Sequence, residues 1–419
     1  MGNFLKCISP IDNSIYAERK TLTFEEAEKK IEFAKKTQSI WNNFELSKRV
    51  QLISKAIKFL GDWNTEIVEE LAWQMGRPVR YGGEYGGVKE RSDYMLSIAE
   101  EGLKNIEIEN SKCFKRIIKR VPHGTVFVIA PWNYPYLTAI NTIVPALVSG
   151  NCVLLKHSTQ TMLVGERFEK AFNEAGLPKG IFQNLFLDHR TTEKLISNNK
   201  FNFINFTGSV EAGKKIEKAA SGTFTNLGLE LGGKDPGYVL EDCDIEKAAE
   251  ALVDGAMFNS GQCCCGIERI YVSSKIFDDF IEIARSIVNN YVLGNPFNEE
   301  TTLGPMANIK FADLVRRQID EAIELGANPL IDSSLFKENK GTYLMPQILI
   351  NVDHNMELMK HENFGPVIGI VKVSNDEEAI KLMNDSSYGL SASLWTNDIL
   401  KAEHIGNQIQ TGTVFLNRC

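Results

Sequence analysis

Short apolar runs alternate with helical patterns through most of the chain, and this alternation limits the possible folds more than any other feature. Thr125–Ala130 and residues 152–155 are apolar runs typical of strands buried in a parallel sheet. Helical patterns at residues 136–149 and 162–175 follow these runs, and a further strand is indicated at residues 201–206. Strands that alternate with helices in this way predict a doubly wound α/β sheet.

The same alternation restarts after Gly233, with strands predicted at residues 237–240 and 267–272 and helices at residues 244–258 and 275–289. A chain of 419 residues, of which 43% are hydrophobic, is long enough to build two cores. We place the domain boundary near Leu231, so that residues 1–106 and 122–231 form one predicted domain and residues 232–419 the other. The predicted fold class is therefore α/β, with two doubly wound domains.

Residues 107–121 are predicted to form a separate small β hairpin. In this stretch Ile, Phe and Val alternate with Glu, Lys and Arg, which is typical of an exposed strand pair. Because exposed strand edges are usually covered by pairing, we predict that the hairpin is an oligomer contact. The basic run at residues 115–120 belongs to the same alternation, so we interpret it as one charged face of a strand and not as a nucleic-acid surface.

Charge and hydropathy argue against several classes of function. A formal net charge of −8 argues against nucleic-acid binding. No apolar run approaches the ~18 residues of a membrane span, and the first residues lack the pattern of a signal peptide. Eight cysteines without such a signal are typical of a reducing compartment. We therefore expect a cytoplasmic protein that binds neither nucleic acid nor membrane.

Three consecutive cysteines follow a Gly-Gln pair in the stretch from Phe258 to Arg269, whose sequence is Phe-Asn-Ser-Gly-Gln-Cys-Cys-Cys-Gly-Ile-Glu-Arg. Zinc sites need paired ligands about two to four residues apart and a second pair elsewhere, so we predict no metal site here. The residues alone leave two interpretations open. In the first, all three cysteines are small buried hydrophobic side chains. In the second, one of them is a nucleophile on a turn whose N–H groups stabilise its thiolate.

A second motif, Glu-Leu-Gly-Gly-Lys at residues 230–234, precedes the cysteine run. In this order and at this spacing, the two motifs resemble those of the NAD(P)-dependent aldehyde dehydrogenase superfamily, and the resemblance extends from Ser9 to Asn417. It implies an aldehyde dehydrogenase-like fold, with a Rossmann-like NAD(P)-binding domain first and a catalytic domain second. It also implies that the hairpin at residues 107–121 joins subunits of a homodimer or homotetramer.

The resemblance implies a covalent mechanism for the oxidation of a small-molecule aldehyde. Cys264, the second residue after Gly-Gln, is implied to be the nucleophile; it forms a thiohemiacetal, and loss of a hydride to NAD(P)⁺ leaves a thioester. Glu230 is implied to activate the water that hydrolyses this thioester. A free thiol has a pKa of ~8.5, so Cys264 needs activation at neutral pH. Cys263 and Cys265 are interpreted as packing residues.

The aldehyde is implied to lie beside a third motif of the family. Pro-Trp-Asn-Tyr-Pro at residues 131–135 is similar to the family's Pro-Trp-Asn-Phe-Pro. This similarity implies that Asn133 and the backbone N–H of Cys264 donate to the oxyanion, and that Tyr134 and Phe258 line the aldehyde channel. Semialdehyde-oxidising members often have an arginine at the position of Phe258, so Phe258 favours an uncharged or aromatic aldehyde.

The cofactor site does not contain the dinucleotide fingerprint G-x-G-x-x-G. Gly208-Ser209 lies between a predicted strand and a helix start, where free N–H groups favour a phosphate, although a plain turn would have the same sequence. The resemblance implies that Gly208 and Ser209 contact the cofactor pyrophosphate and that Lys156 bonds the adenosine ribose. A glutamate often stands at the position of Thr159; without its carboxylate, NADP can bind as well as NAD. His157 is interpreted as a structural histidine.

Four further residues complete the implied cofactor site. Glu-Asn-Phe-Gly-Pro-Val at residues 362–367 is similar to the family's Glu-x-Phe-Gly-Pro-Val. The similarity implies that Glu362 holds the nicotinamide ribose and that Phe364 packs near the ring. Trp132 and Leu231 are also included in the implied cofactor set.

The chain departs from the family at two places. Thr142 stands where many members have a lysine that serves a proton path from the glutamate, so the relay is expected to differ. The chain ends at Cys419, whereas the family continues with a loop over the active site and a terminal strand. A chain without that segment is expected to be less stable, less active and a weaker oligomer.

Two rival functions stay open from the sequence. One is a catalytically impaired, cofactor-binding homologue with a structural or partner-binding role. The other is an acylating or phosphorylating dehydrogenase, in which a thiol or a phosphate resolves the thioester; Glu230 favours water instead. A thiolase or cysteine protease is disfavoured, because no histidine stands in a recognisable pairing motif with Cys264.

Overall fold

A computed structural model describes residues 3–109 and 113–419. Its strands are β1 Phe4–Ile8, β2 Ile15–Lys20, β3 Ile106–Glu107, β4 Ile117–Ile118, β5 Thr125–Ala130, β6 Cys152–His157, β7 Phe182–Asn184, β8 Phe203–Thr207, β9 Asn226–Glu230, β10 Asp235–Val239, β11 Ile267–Ser273, β12 Asn328–Pro329, β13 Gln347–Ile350, β14 Val367–Val373, β15 Ser391–Trp395 and β16 Thr413–Leu416. Its helices are α1 Phe24–Asn42, α2 Leu46–Asp62, α3 Asn64–Met75, α4 Tyr85–Ser97, α5 Ala99–Leu103, α6 Pro135–Val148, α7 Leu163–Ala175, α8 His189–Ser197, α9 Val210–Ala220, α10 Ile245–Met257, α11 Phe277–Asn289, α12 Ile309–Glu324, α13 Glu357–Lys360, α14 Asp376–Asn384 and α15 Ile399–Gly406. Short 3₁₀ turns occur at Val79–Tyr81, Thr159–Thr161, Phe258–Gly261 and Ser333–Leu335.

The described residues divide into two compact units, of which the first lies within Met1–Ile8, Ile15–Gln74 and Gly82–Leu231. Its main sheet has five parallel strands in the order β7-β6-β5-β8-β9. All six residues of β5 are buried, as expected of a continuous apolar run in a parallel sheet. The chain runs from β5 to β6 and β7 on one side and then to β8 and β9 on the other. The strand order therefore reverses between β5 and β8, and ligands of doubly wound sheets bind at the carboxyl ends of such strands.

The predicted hairpin is present as the antiparallel pair β3 and β4, in which Ile106 is opposite Ile118 and Glu107 is opposite Ile117. All four of these residues are exposed. Residues 110–112, which fall within the predicted hairpin, lie outside the described residues. The role of the hairpin as an oligomer contact stays a prediction.

The second unit comprises Ser9–Ser14, Met75–Tyr81 and Gly232–Cys419. Its seven-stranded sheet has the order β12-β13-β14-β11-β10-β15-β16, and every pair except β12 with β13 is parallel. Ser9–Ser14 and Met75–Tyr81, which the sequence analysis assigned to the first domain, belong to this unit because their backbone is bonded within it. The Val79 N–H, for example, donates to the Pro296 carbonyl at 2.8 Å.

Both units have the predicted α/β architecture, so the prediction of two doubly wound sheets with a small additional hairpin is confirmed. The assignment of the first unit to cofactor binding and of the second to catalysis stays a prediction. Within residues 3–109 and 113–419, no helix combines the length and the apolar character that a membrane span requires.

Candidate active site

The carboxyl ends of three neighbouring strands in the first unit carry several of the predicted site residues. Trp132, Asn133 and Tyr134 follow β5, and the side chain of Asn133 is buried. Glu230 is the last residue of β9 and is exposed. Because β8 lies between β5 and β9, the first unit brings the predicted oxyanion donor and the predicted base to one edge of its sheet.

The turn after β8 lies at the same edge and leads into α9. The Gly208 N–H donates to the Glu230 carbonyl at 3.0 Å, which ties this turn to the end of β9. Ser209 caps α9, and its hydroxyl accepts from the Ala212 N–H at 3.3 Å. A side chain at Gly213 would overlap Leu231, so the helix packs closely against the residue that follows β9. The first turn of a helix in this position is a suitable site for a phosphate.

Lys156 and Thr159 lie at the carboxyl end of β6. The strand is longer than predicted and includes both Lys156 and His157. Burial lowers the pKa of Lys156 to about 8. Thr159 begins the 3₁₀ turn Thr159–Thr161. Burial of its ring is the main cause that lowers the pKa of His189, and the positive charge of Lys156 lowers it further. The His189 ring therefore lies near the carboxyl end of β6.

His157 has the bonding expected of a structural histidine. Its Nε2 lies 3.2 Å from the Pro135 carbonyl oxygen and its Nδ1 lies 3.2 Å from the Thr161 hydroxyl. Burial lowers its pKa to about 4, so the ring is neutral at physiological pH.

The cysteine run in the second unit follows an unusual turn. Asn259, Ser260 and Gly261 have φ angles of 55°, 55° and 71°, so three consecutive residues adopt the left-handed conformation. A side chain at Gly261 would overlap the carbonyl of Gly365, which restricts this position to glycine. Left-handed residues other than glycine cost energy and persist only where surrounding contacts hold them.

Buried side chains supply those contacts. The Ser260 hydroxyl donates to the Gly304 carbonyl at 2.8 Å. The Gln262 side chain accepts from the Ala307 N–H at 2.8 Å and donates to the Asn259 carbonyl at 3.0 Å. The Gly-Gln pair of the motif therefore fixes the backbone conformation immediately before the three cysteines.

Cys264 is half-buried at the end of this turn. Its pKa is raised to about 12: a hydrogen bond with Cys263 lowers it, but a hydrogen bond with Cys265 and burial of the sulfur outweigh that effect. The resting side chain is therefore a thiol. Cys263 and Cys265 have their sulfur atoms 3.5 Å apart. Cys265 is exposed, so its interpretation as a packing residue is wrong.

Phe258 packs against an aromatic residue that the sequence analysis did not identify. Its ring forms an edge-to-face contact with Tyr81 at a centroid distance of 4.8 Å. The Tyr81 hydroxyl donates to the Thr302 carbonyl at 3.0 Å, which holds that ring in place. No pattern around Tyr81 distinguishes it in the sequence, because the contact joins residues far apart in the chain.

Glu362 and Phe364 lie in a loop of the second unit that approaches the Gly-Gly-Lys segment. Glu362 accepts a hydrogen bond from the Gly233 N–H at 3.1 Å, and burial, followed by the charge of Glu268, raises its pKa to about 7. Phe364 adopts a φ of 53°. Lys234 forms a buried ion pair with Glu268 at 2.6 Å. Glu268 was not predicted, although two adjacent charged residues, Glu268 and Arg269, inside the apolar strand β11 are a signal that could have drawn attention to it.

Comparisons of sequence and structure point to one family. The model of the aldehyde dehydrogenase family matches residues 2–419. An NADP-dependent glyceraldehyde-3-phosphate dehydrogenase from Streptococcus equinus is 35% identical over 92% of this chain and 81% of its own length. A solved structure of such an enzyme from Bacillus halodurans C-125, complexed with NADP, has a TM-score of 0.93 at 31% identity and covers 100% of this chain and 88% of that one. An NAD-dependent benzaldehyde dehydrogenase from Corynebacterium glutamicum has a TM-score of 0.93 at 30% identity, with 100% and 89% of the two chains covered.

Proposed function

Because the chain belongs to the aldehyde dehydrogenase family and oxidises an aldehyde to a carboxylic acid with NAD or NADP, we propose that Cys264 forms the covalent intermediate and that Glu230 activates the water that resolves it. The observation that carries this proposal is the turn of residues 259–261, whose strained backbone leads directly to Cys264. Strain of this kind is retained at functional sites. The relatives favour neither a non-catalytic role nor an acylating reaction.

The chemistry of Cys264 begins with the loss of its proton. With a pKa of about 12, roughly 1 in 10⁵ of the thiols is ionised at pH 7, so a base must remove the proton as the sulfur attacks the carbonyl carbon. Asn133 and the backbone N–H of Cys264 then stabilise the oxyanion, each donor contributing roughly 2.7–4 kcal/mol in comparable sites. Glu230 finally removes a proton from the water that attacks the thioester.

The residues of the first unit suit a dinucleotide. The first turn of α9 offers backbone N–H groups for the pyrophosphate, and Lys156 offers a buried cation for the adenosine ribose. Trp132 and Leu231 are also assigned to the dinucleotide, and Glu362 and Phe364 would hold its nicotinamide ribose and ring. When bound, the nicotinamide supplies the hydride acceptor.

Among the two cofactors, we propose a preference for NADP. Thr159 provides no carboxylate that would repel a 2′-phosphate, and Lys156 lies on the adjoining end of β6. Thr159→Glu is expected to lower the ratio of kcat/KM for NADP to that for NAD by at least about 10-fold, because a carboxylate a few ångströms from the phosphate is repelled by it. Thr159→Gln, of the same size and without charge, is the control. Equal ratios in the two variants would contradict the preference.

The substrate that the site supports best is an uncharged or aromatic aldehyde. The edge-to-face pair of Phe258 and Tyr81 places two aromatic rings in contact on the proposed channel wall, and aromatic rings favour such contacts with a further ring. The benzaldehyde dehydrogenase reported above has a substrate of this class. Benzaldehyde is therefore the substrate of choice for a test of the mechanism.

Rapid mixing of the enzyme with benzaldehyde and NADP tests the separate roles that we propose for Cys264 and Glu230. Wild-type enzyme is expected to give a burst of reduced nicotinamide near one equivalent per active site. Glu230→Gln is expected to keep the amplitude of the burst and to lower the steady-state rate by about 10²–10⁴-fold, because an amide cannot accept the proton of water. The control is Glu282→Gln, which changes an exposed glutamate on α11 that has no proposed role in the site.

Two results of this experiment would overturn the proposal. Equal steady-state rates for Glu230→Gln and Glu282→Gln would remove Glu230 from the deacylation step. A steady-state rate that rises when coenzyme A or inorganic phosphate is added would show that a thiol or phosphate resolves the thioester, as in the rival acylating or phosphorylating reaction.

We also propose that the protein is a cytoplasmic homodimer or homotetramer. All eight cysteines are free thiols, which fits a reducing compartment. The exposed isoleucines of β3 and β4 form an unpaired edge suited to a second copy of the chain.

A further inference from the structure

Glu268 is a buried carboxylate for which the proposed mechanism has no use. It lies on β11, shortly after Cys264, and its side chain is 5% exposed. A buried charge is costly unless it is paired and fully hydrogen-bonded. The Lys234 side chain, which is fully buried, supplies the opposite charge: its Nζ lies 2.6 Å from Oε2 of Glu268.

The same carboxylate also holds the backbone of the loop at residues 362–364. The Asn363 N–H donates to Oε2 of Glu268 at 3.0 Å, and the Phe364 N–H donates to Oε1 at 3.2 Å. Phe364 has a left-handed φ of 53°, which costs energy for a residue other than glycine. Two charge-assisted bonds to adjacent N–H groups offset that cost and fix the direction in which the loop leaves this point.

Lys234 is held at its backbone as well as at its side chain. Arg269, the neighbour of Glu268 on β11, donates to the Lys234 carbonyl from Nε at 3.0 Å and from Nη2 at 2.8 Å. The preceding Gly233 N–H donates to the Glu362 carboxylate at 3.1 Å. One cluster of buried charges therefore joins β11, the Gly-Gly-Lys segment and the loop that carries Glu362.

We infer that Glu268 is a positioning residue, which sets the places of Glu362 and Phe364 relative to the strand that follows Cys264. The inference rests on the proposed function, in which Glu362 and Phe364 hold the nicotinamide ribose and ring. Hydride transfer requires the donor carbon and the acceptor ring to be in contact at a defined angle, and a misplacement of about 1 Å can lower the rate by as much as about 10²-fold. Glu268 acts on this step without touching the substrate.

Glu268→Gln in the full-length chain tests the inference. The amide keeps the size of the side chain but loses the charge, and its NH₂ group must face a backbone N–H or the Lys234 ammonium. With benzaldehyde deuterated at the aldehyde carbon, the burst rate is expected to fall at least about 10-fold and to show a primary isotope effect. The dissociation constant for NADP is expected to rise. Alkylation of Cys264 by iodoacetamide is expected to keep its wild-type rate, because the turn of residues 259–261 has its own support.

Asp242→Asn is the matched control. Asp242 accepts from the Thr396 hydroxyl at 2.7 Å and from the Asn397 N–H at 3.0 Å, so this variant also removes a charged acceptor from the second unit. It follows the carboxyl end of β10, whereas Lys234 precedes the amino end of the same strand. Its burst, NADP affinity and alkylation rate are expected to equal those of the wild type.

Several results would overturn the inference. Glu268→Gln could match Asp242→Asn in all three measurements, or its burst and alkylation rates could fall in parallel, which would mean that Glu268 only supports the cysteine turn. Should Glu268→Gln fail to fold, Glu268→Asp replaces it: the shorter carboxylate keeps a charge near Lys234 but loses the bonds to the loop, and the same kinetic pattern is expected.

Glu362→Gln separates this inference from the proposed function. A normal burst and normal NADP affinity in Glu362→Gln would remove the proposed role of Glu362 itself. A slow burst in Glu362→Gln combined with a normal burst in Glu268→Gln would overturn only the positioning role.

Discussion

Cys264→Ala is expected to abolish dehydrogenase turnover, with a loss of at least about 10⁴-fold in kcat. Removal of the sulfur removes the atom that forms the thiohemiacetal and the thioester, and neither water nor a neighbouring side chain replaces it in that position. The half-buried side chain contributes little packing, so the variant is expected to fold normally. The measurement is the burst of reduced nicotinamide with benzaldehyde, together with mass spectrometry of the acylated peptide.

Cys265→Ala is the matched control for this experiment. Cys265 is exposed and immediately follows Cys264, so the variant removes a thiol from the same turn without removing the proposed nucleophile. It is expected to keep turnover, with a burst rate no lower than that of the wild type, because the hydrogen bond that is lost is one of the causes that raise the pKa of Cys264. Turnover that persists in Cys264→Ala, or an acyl group found on Cys265, would refute the assignment of the nucleophile.

Lys234→Met is expected to lower the free energy of unfolding by about 3–5 kcal/mol. The substitution keeps the length of the side chain but leaves the buried carboxylate of Glu268 without its counter-ion, and removal of one partner from a buried pair costs far more than the pair itself contributes. The measurement is urea unfolding, in which the midpoint is expected to fall while the slope stays unchanged.

A surface pair of the same length provides the comparison. Lys275 lies 2.6 Å from Glu241, the same separation as in the buried pair, but the two side chains are 71% and 46% exposed. Water screens this pair, so Lys275→Met is expected to cost no more than about 1 kcal/mol. Equal losses in the two variants would show that burial does not decide the strength of these interactions here.

The sequence predicted the fold well where one stretch of chain decides the local structure. The apolar run at Thr125–Ala130 coincides with β5, and the helix predicted at residues 136–149 is observed as Pro135–Val148. Burial along a parallel strand leaves a continuous apolar run, and helix packing leaves a period of 3.6 residues, so both are visible without a structure. The doubly wound α/β class of the two sheets also followed from the alternation of these elements, but the order of their strands was not predicted.

Contacts between distant segments could not be predicted in this way. The segment Met75–Tyr81 belongs to the second unit because of single hydrogen bonds such as that from Val79 to Pro296, which no local pattern announces. Strand β6 extends to His157 because this polar side chain has a hydrogen-bond partner, the Pro135 carbonyl, although it is buried. Such a partner is not visible in a single sequence.

The candidate site shows the same limit. The resemblance supplied Cys264, Glu230 and Glu362, but Glu268 acts through bonds to residues almost a hundred positions away in the chain. The high pKa of Cys264 was also hidden, because it depends on the orientation of the two neighbouring thiols and on burial of the sulfur.

The strand that carries Glu230 has a consequence for local stability. In the described part of the chain, β9 is the last strand of its sheet and is hydrogen-bonded to β8 alone, whereas the strand before Asn133 lies at the centre. The free energy needed to open a structure locally is lowest where buried contacts are fewest. Glu230, which we propose activates the water, therefore lies at the end of an edge strand, whereas Asn133, the proposed oxyanion donor, follows a central strand that is expected to open less readily.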